Sequence, residues 1–223
     1  FKAFYDKLRN FNLLVGNNKF NPIFNYAGIE YQFGVGGLHT KDKPLLINED
    51  DEYFIADVDA DSYYPFLIIN HGFSPKHLGG LFIPIYRLIT ETRLTAKKVG
   101  KAKLDEEDKD KLEKLVANKI KNAKLANILK IVINSSFGQF NDVYSFLYDP
   151  KALYQTTVNG QLGLLYVVEK IILIGGEILS VNTDGIVARI KRIHLEQYKQ
   201  TSIDAFNDFK ATCEFTFYKR YAR

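Results

Sequence analysis

Asp57, Asp59 and Asp61 alternate along the stretch Tyr53-Phe54-Ile55-Ala56-Asp57-Val58-Asp59-Ala60-Asp61. On an extended chain every second side chain projects to the same side. The three carboxylates therefore share one face and repel one another, and a cation is their natural compensation. The same spacing opens a helix–loop–helix calcium loop, but such a loop needs Gly at its sixth position and Glu at its twelfth. Here those positions hold Ser62 and Ile68, which excludes it. A solvated acidic turn is the structural alternative. A further carboxylate, Asp184, lies in Asn182-Thr183-Asp184-Gly185, between two β-branched runs. That tetrad reads as a hairpin, because Asp-Gly suits the primed turns. Cations recur at one-turn helical spacing, with Arg93 four residues before Lys97, and Lys130 stands four before Asn134.

The residues around these groups carry a resemblance. Asp59-Ala60-Asp61-Ser62-Tyr63-Tyr64-Pro65 resembles motif A of the family B DNA polymerases, D-x-x-S-L-Y-P. Lys130-Ile131-Val132-Ile133-Asn134-Ser135-Ser136-Phe137-Gly138 resembles motif B, K-x-x-x-N-S-x-Y-G. Val181-Asn182-Thr183-Asp184-Gly185 resembles motif C, Y-G-D-T-D-S, on the hairpin that motif requires. Lys219-Arg220-Tyr221 resembles the K-x-Y element that follows, and Phe33-Gly34-Val35-Gly36-Gly37 is a looser echo of a Tyr/Gly-Gly element upstream. Four motifs in family order span Asp59 to Tyr221. The Asn-Thr-Asp-Gly variant and Thr157-Val158-Asn159-Gly160-Gln161-Leu162 resemble the phage-type branch.

The resemblance implies a template-directed transfer of a nucleotide from a dNTP to a primer 3′-hydroxyl, with two Mg²⁺ ions, or Mn²⁺ in their place. Such a pair of ions lowers the hydroxyl's pKa and bridges the phosphate oxygens. Asp59 and Asp184 become the expected catalytic carboxylates and metal ligands, with the carbonyl of Ala60 as a backbone ligand. The first Asp of motif C is replaced here by Asn182, which offers an oxygen but no charge. Arg93, Lys97, Lys130 and Asn134 are implied to hold the triphosphate, Arg as a planar fork and Lys as point charges. Tyr64 would stack beneath the incoming sugar and exclude a 2′-hydroxyl. Phe137 would pack on the nascent base pair without the hydroxyl of the family's Tyr. Lys219 and Tyr221 are expected at the primer strand, through contacts that carry no sequence information. Gly36 and Gly37 would let template backbone approach closely, or are plain turn glycines. Asp57 and Asp61 are assigned to structural partners.

The elements that must position these groups read as follows. Tyr53 to Val58 is a short buried strand. Ser74-Pro75 reads as a helix start, with apolar residues at Leu78, Phe82, Ile85, Leu88 and Ile89 carrying a helix to about Val99. After a polar turn over 100–110, a second helix is expected from about Glu106 to Ser135. Gly160 to Ile174 is apolar nearly all round and predicts a buried helix. Strands are expected at Glu177–Val181, Gly185–Ile190 and Thr212–Tyr218, with an amphipathic helix at His194–Lys210. Strand, helix, strand, strand, helix, strand makes an α+β layer, an antiparallel sheet with helices on one face. The resemblance makes it a ferredoxin-like palm with a helical-hairpin fingers insertion. The expected division is a pre-palm segment over 1–52, palm over 53–72, fingers over 73–140 and palm again over 141–223.

Composition sets the outer bounds. The 223 residues are 46% hydrophobic and 25% charged, which excludes a disordered chain. The single cysteine, Cys213, excludes an intramolecular disulfide and a cysteine-based zinc cluster, and fits a reducing compartment. No apolar run is long enough to span a membrane. The expected setting is the cytoplasm, a host's if the chain is phage-encoded. From Lys97 to Lys130 there are 11 lysines and 6 acids, a net of +5 in a chain of +4. That segment is either a solvated helix pair or an electrostatic face for phosphates. Met and Trp are absent and the first residue is Phe, so the sequence reads as an excerpt of a larger protein; the thumb and exonuclease that the resemblance implies are expected elsewhere in that parent, or are absent.

Overall fold

The computed structural model describes residues 22–34, 36–41, 44–102 and 109–222. Val35 and the expected helix start at Glu106 lie outside the described residues. The chain divides into two compact units, Phe1–Tyr63 with Thr157–Arg223, and Tyr64–Thr156.

The first unit is built on one antiparallel sheet. Its strands are β1 (Ile23–Tyr26), β2 (Ile29–Phe33), β3 (Leu38–Thr40), β5 (Tyr53–Ala60), β6 (Glu177–Asn182), β7 (Gly185–Lys191) and β8 (Cys213–Tyr218). Their order across the sheet is β1-β2-β3-β6-β7-β5-β8. A separate two-stranded ribbon pairs β4 (Leu46–Asn48) with β9 (Arg220–Ala222). The four strands anticipated from the sequence form the β6-β7-β5-β8 block. Between them run helix α4 (Pro150–Leu173), which enters β6, and helix α5 (Leu195–Asp208), which joins β7 to β8. This is the split β-α-β-β-α-β arrangement, so the α+β expectation holds.

Alternation along β5 separates the two faces. Phe54, Ala56, Val58 and Ala60 are buried, while Asp59 is exposed. The register places Ile186, Ala188 and Ile190 of β7 beside Val58, Ala56 and Phe54 on the buried face. Tyr198 of α5 closes that face, meeting Phe54 and Phe215 edge-on at 5.9 and 5.8 Å. On the opposite face Ile55, Leu179 and Val187 form a smaller apolar cluster beneath Ile47, Tyr218 and Tyr221. The β6–β7 register shifts between Ile178 and Ser180. A bulge of this kind inserts one residue and re-aims those beyond it. It puts apolar Leu179 into the second cluster and lets Ser180 and Asn182 share the open face with Asp59.

Two sequence expectations need correction, and one helix was not foreseen. The helix expected from Ser74-Pro75 starts at Phe82: a 3₁₀ turn covers Lys76–Leu81, and Gly79 at φ 57° breaks helical continuity. The buried helix expected from Gly160 starts ten residues earlier, at Pro150. Asp149 Oδ1 accepts the Ala152 N–H at 3.0 Å and Pro150 fills the first helical position, a start signal that the polar first turns concealed. Helix α1 (Tyr63–His71) was not anticipated. Pro65 looks like a breaker, but it stands in the first turn, where no intrahelical N–H is needed.

The second unit is dominated by α2 (Phe82–Lys101) and α3 (Lys109–Gly138). The Tyr86 hydroxyl donates to the Ile133 carbonyl at 3.1 Å. Nearer the other end a Cβ on Gly100 would lie 3.1 Å from the Ala123 backbone. Contacts that pair the start of α2 with the end of α3 define an antiparallel hairpin. Its core combines Phe82, Tyr86, Ile133 and Phe140 with Ile68, Ile69, Ala152 and Leu153.

Candidate functional site

Asp59 lies near the end of β5, flanked by Gly185 of β7 and Glu214 of β8. Asp184 stands at the β6–β7 turn, and its carbonyl accepts the Ala60 N–H at 2.8 Å. Because Asn182 pairs with Gly185, the loop is the two residues Thr183-Asp184, and Gly185 already belongs to the strand. The turn therefore does not use Asp-Gly as expected; Thr183 itself takes the positive φ of 52°. The glycine serves a different end. A Cβ on Gly185 would collide with Asp59 Oδ1 and come within 3.3 Å of Asp57 Oδ1. Its absence leaves the space that the two carboxylates occupy.

The hairpin tip is held from its other side by β3. Thr183 N–H donates to the Leu38 carbonyl at 2.9 Å. Thr40 Oγ1 accepts the Val181 N–H at 2.9 Å, and His39 is the register partner of Asn182. Gly37 lets β3 come this close, since a Cβ there would sit 2.9 Å from Thr183 Oγ1 and 3.1 Å from its Cα. The structure thus sets Gly37 against the hairpin tip, while Gly36 is exposed.

Between these strands is a cavity of about 320 Å³, lined by Asp57, Asp59, Asn182, Asp184, Tyr218 and Tyr221 among others. Asp57, which the sequence reading set aside, belongs to it. The alternation that groups it with Asp59 was a sufficient signal. Tyr218 donates its hydroxyl to Asp57 Oδ2 at 3.1 Å, and Asp57 Oδ1 is buried without a hydrogen-bond partner. Burial first, then the charge of Asp59, pushes Asp57 up to about 6; Asp184 adds to the rise and the Tyr218 hydrogen bond opposes it. Asp61 lies beyond the end of β5, its N–H donating to the Thr212 carbonyl at 2.8 Å. Burial also pushes the Cys213 thiol up to about 11, which leaves no thiolate nucleophile near neutrality.

The donor set suits a hard cation. Among the described residues no three Asp, Glu, His or Cys side chains close on one point as a complete cage. Mg²⁺ does not require one, because it keeps several waters or takes phosphate oxygens alongside one or two carboxylates. Asp59 and Asp184 supply the carboxylates. The orphaned Asp57 oxygen and the cradle above Gly185 fit positive charge at that place.

The remaining predicted residues fall in both units. Lys219 immediately precedes the ribbon strand β9, and Tyr221, within it, packs on Tyr218 with ring centroids 5.9 Å apart. In the second unit Tyr64 packs on Phe137 at 5.1 Å, and Phe137 meets Phe140 at 6.0 Å. Arg93 and Lys97 lie one turn apart on α2 and are half-buried; Lys130 and Asn134 lie one turn apart on α3 and are exposed.

No family model matches the chain, and no curated protein matches its sequence. Among solved structures its fold is similar to that of the family B DNA polymerase from the hyperthermophilic archaeon Pyrobaculum calidifontis. The TM-score is 0.54 at 17% identity, over 80% of this chain and 25% of that one. The likeness is one of fold, and the chain spans about a quarter of the length of that polymerase. No helix among the described residues is long and apolar enough to cross a membrane.

Proposed function

We propose that the chain is the catalytic core of a DNA-directed DNA polymerase of family B type. The observation that carries this is the meeting of Asp59 and Asp184 in one cavity on the open face of an antiparallel sheet, with Gly185 making room for the carboxylate of Asp59. Four motifs in family order and the fold likeness support the same reading. On it the first unit is the palm and the second the fingers, with the thumb and exonuclease belonging to the rest of a longer parent. The phage-type branch rests on Asn182-Thr183-Asp184-Gly185 and the Thr157–Leu162 stretch alone.

Bound at Asp59, Asp184 and the Ala60 carbonyl, Mg²⁺ would supply an acidified primer hydroxyl and a stabilised pyrophosphate leaving group. The protein's own task is to hold a few oxygens rigidly. A strand end and a two-residue turn do this, since neighbouring strands lie only about 4.8 Å apart. Arg93, Lys97, Lys130 and Asn134 bind the triphosphate of a dNTP in this reading. Tyr64, braced by Phe137, selects deoxyribose, and Lys219 and Tyr221 take the primer backbone of a primed DNA template.

Asn182 favours one other reading, a palm that binds nucleic acid without catalysis. Incubating the full-length protein with a recessed-end DNA duplex, dNTPs and Mg²⁺ separates the two. Template-directed addition to the primer is the expected result. Salt-sensitive duplex binding with no addition, in Mg²⁺ and in Mn²⁺, would leave the binding module as the correct account.

A further inference from the structure

Resting on the polymerase reading, we propose that Asp57 supplies the fixed negative charge that the cavity lacks at Asn182, and that Tyr218 is the residue that positions it. The first Asp of motif C in the resembling family is a carboxylate, and this chain has the amide of Asn182 there. Asp57 lines the same cavity from β5, in the cross-strand row of Val187 and Ser180, two residues before the Asp59–Gly185–Asn182 row and on the same face. Its Oδ2 accepts the Tyr218 hydroxyl at 3.1 Å, and its Oδ1 is buried without a donor, beside the space above Gly185. A carboxylate served on one oxygen only is costly to bury unless positive charge stands near. Glu214 is opposite Asp59 in register, but it is exposed and does not line the cavity.

Tyr218 is suited to its part. Burial first, and then the charge of Asp57, raise its hydroxyl above the usual phenol range, so it remains a donor. Its ring is wedged between Ile55 and Tyr221, which fixes where the hydroxyl points. The three carboxylates do not converge as a cage, so Asp57 acts through space as an anion and leaves direct ligation to Asp59 and Asp184.

The test is Mn²⁺ binding to the full-length protein without DNA or dNTP, followed through the EPR signal of the free ion. Primer extension against Mg²⁺ concentration runs alongside. A unit charge about 6 Å from a divalent ion changes its affinity by about tenfold even at the dielectric of water. Asp57→Asn should therefore weaken Mn²⁺ binding by about tenfold or more and raise the Mg²⁺ requirement in parallel. Tyr218→Phe should shift both in the same direction by about threefold, the worth of one hydrogen bond. Asn182→Asp should tighten binding, and Asp57→Asn combined with Asn182→Asp should return close to wild type. A merely structural role for Asp57 would give no such rescue. Affinity within about twofold of wild type in Asp57→Asn, or a double variant as weak as Asp57→Asn, overturns the proposal. If the wild type extends primers and Asp57→Asn matches it, only this inference falls. If the wild type neither extends primers nor binds Mn²⁺, the polymerase reading falls as well.

Discussion

Gly185 and Asp50 show how single residues shape the site and its support. Gly185 stands where the family pattern has Ser, and its missing Cβ is the room in which Asp59 and Asp57 rest. Gly185→Ala should cost about 1–3 kcal/mol by overpacking, in denaturant melts. Because it displaces Asp59, it should lower single-nucleotide incorporation by about a hundredfold. Incorporation at the wild-type rate would show that the carboxylates need no such cradle. Asp50 anchors the start of β5, its Oδ1 accepting the N–H groups of Tyr53 and Glu52 at 2.6 and 2.9 Å and its Oδ2 the Arg189 guanidinium at 3.1 Å. The Tyr53 N–H first holds its carboxyl below the usual range; burial opposes it, and the Glu52 N–H and Arg189 add to the lowering. A depressed carboxylate stabilises the fold above its unfolded-state value and loses that contribution as pH falls through the folded one. Asp50→Asn should therefore lower Tm at pH 7, and the gap should close below about pH 4. A gap independent of pH would mean that Asp50 acts through packing alone.

At the scale of elements, the carboxylate-lined cavity depends on β3 gripping the β6–β7 turn. Gly37→Ala would press a methyl against Thr183 and should cost about 1–3 kcal/mol in urea melts. Thr183→Ala should recover part of that loss when combined with it. Strict additivity of the two, within about 0.5 kcal/mol, would show that the contact is not shared. The sequence made some of these elements plain and hid others, for physical reasons. Strands β5 to β8 and helix α5 were legible because their apolar periodicity is regular and turn residues bound them. The β1–β2 hairpin was hidden: its turn is Ala27-Gly28, with Ala27 at φ 51°, and Ala does not announce a left-handed turn. Helix α1 was masked by Pro65, and the start of α4 by polar residues on its first turns. Asp59 and Asp184 could be named from their motifs. Asp57 and Tyr218 could not be joined, because their meeting depends on the β5–β8 register, which pairs strands far apart in the chain.

For the whole molecule, charge is divided between the units. The stretch from Lys97 to Lys130, in the second unit, carries 11 lysines against 6 acids, whereas the open sheet face of the first unit carries Asp57, Asp59 and Asp184. Polymerisation needs both kinds of surface, since cations hold the triphosphate and carboxylates hold the metals that act on it. A module that only bound nucleic acid would gain from the lysines and lose from the clustered carboxylates. The most direct measurement is primer extension by the full-length protein with Mg²⁺ and dNTPs, comparing wild type with Asp59→Ala and Asp184→Ala, with duplex binding measured in parallel. The polymerase reading entails extension by wild type, its loss by at least about a thousandfold in each variant, and duplex binding retained in all three. Extension that survives either substitution would contradict it.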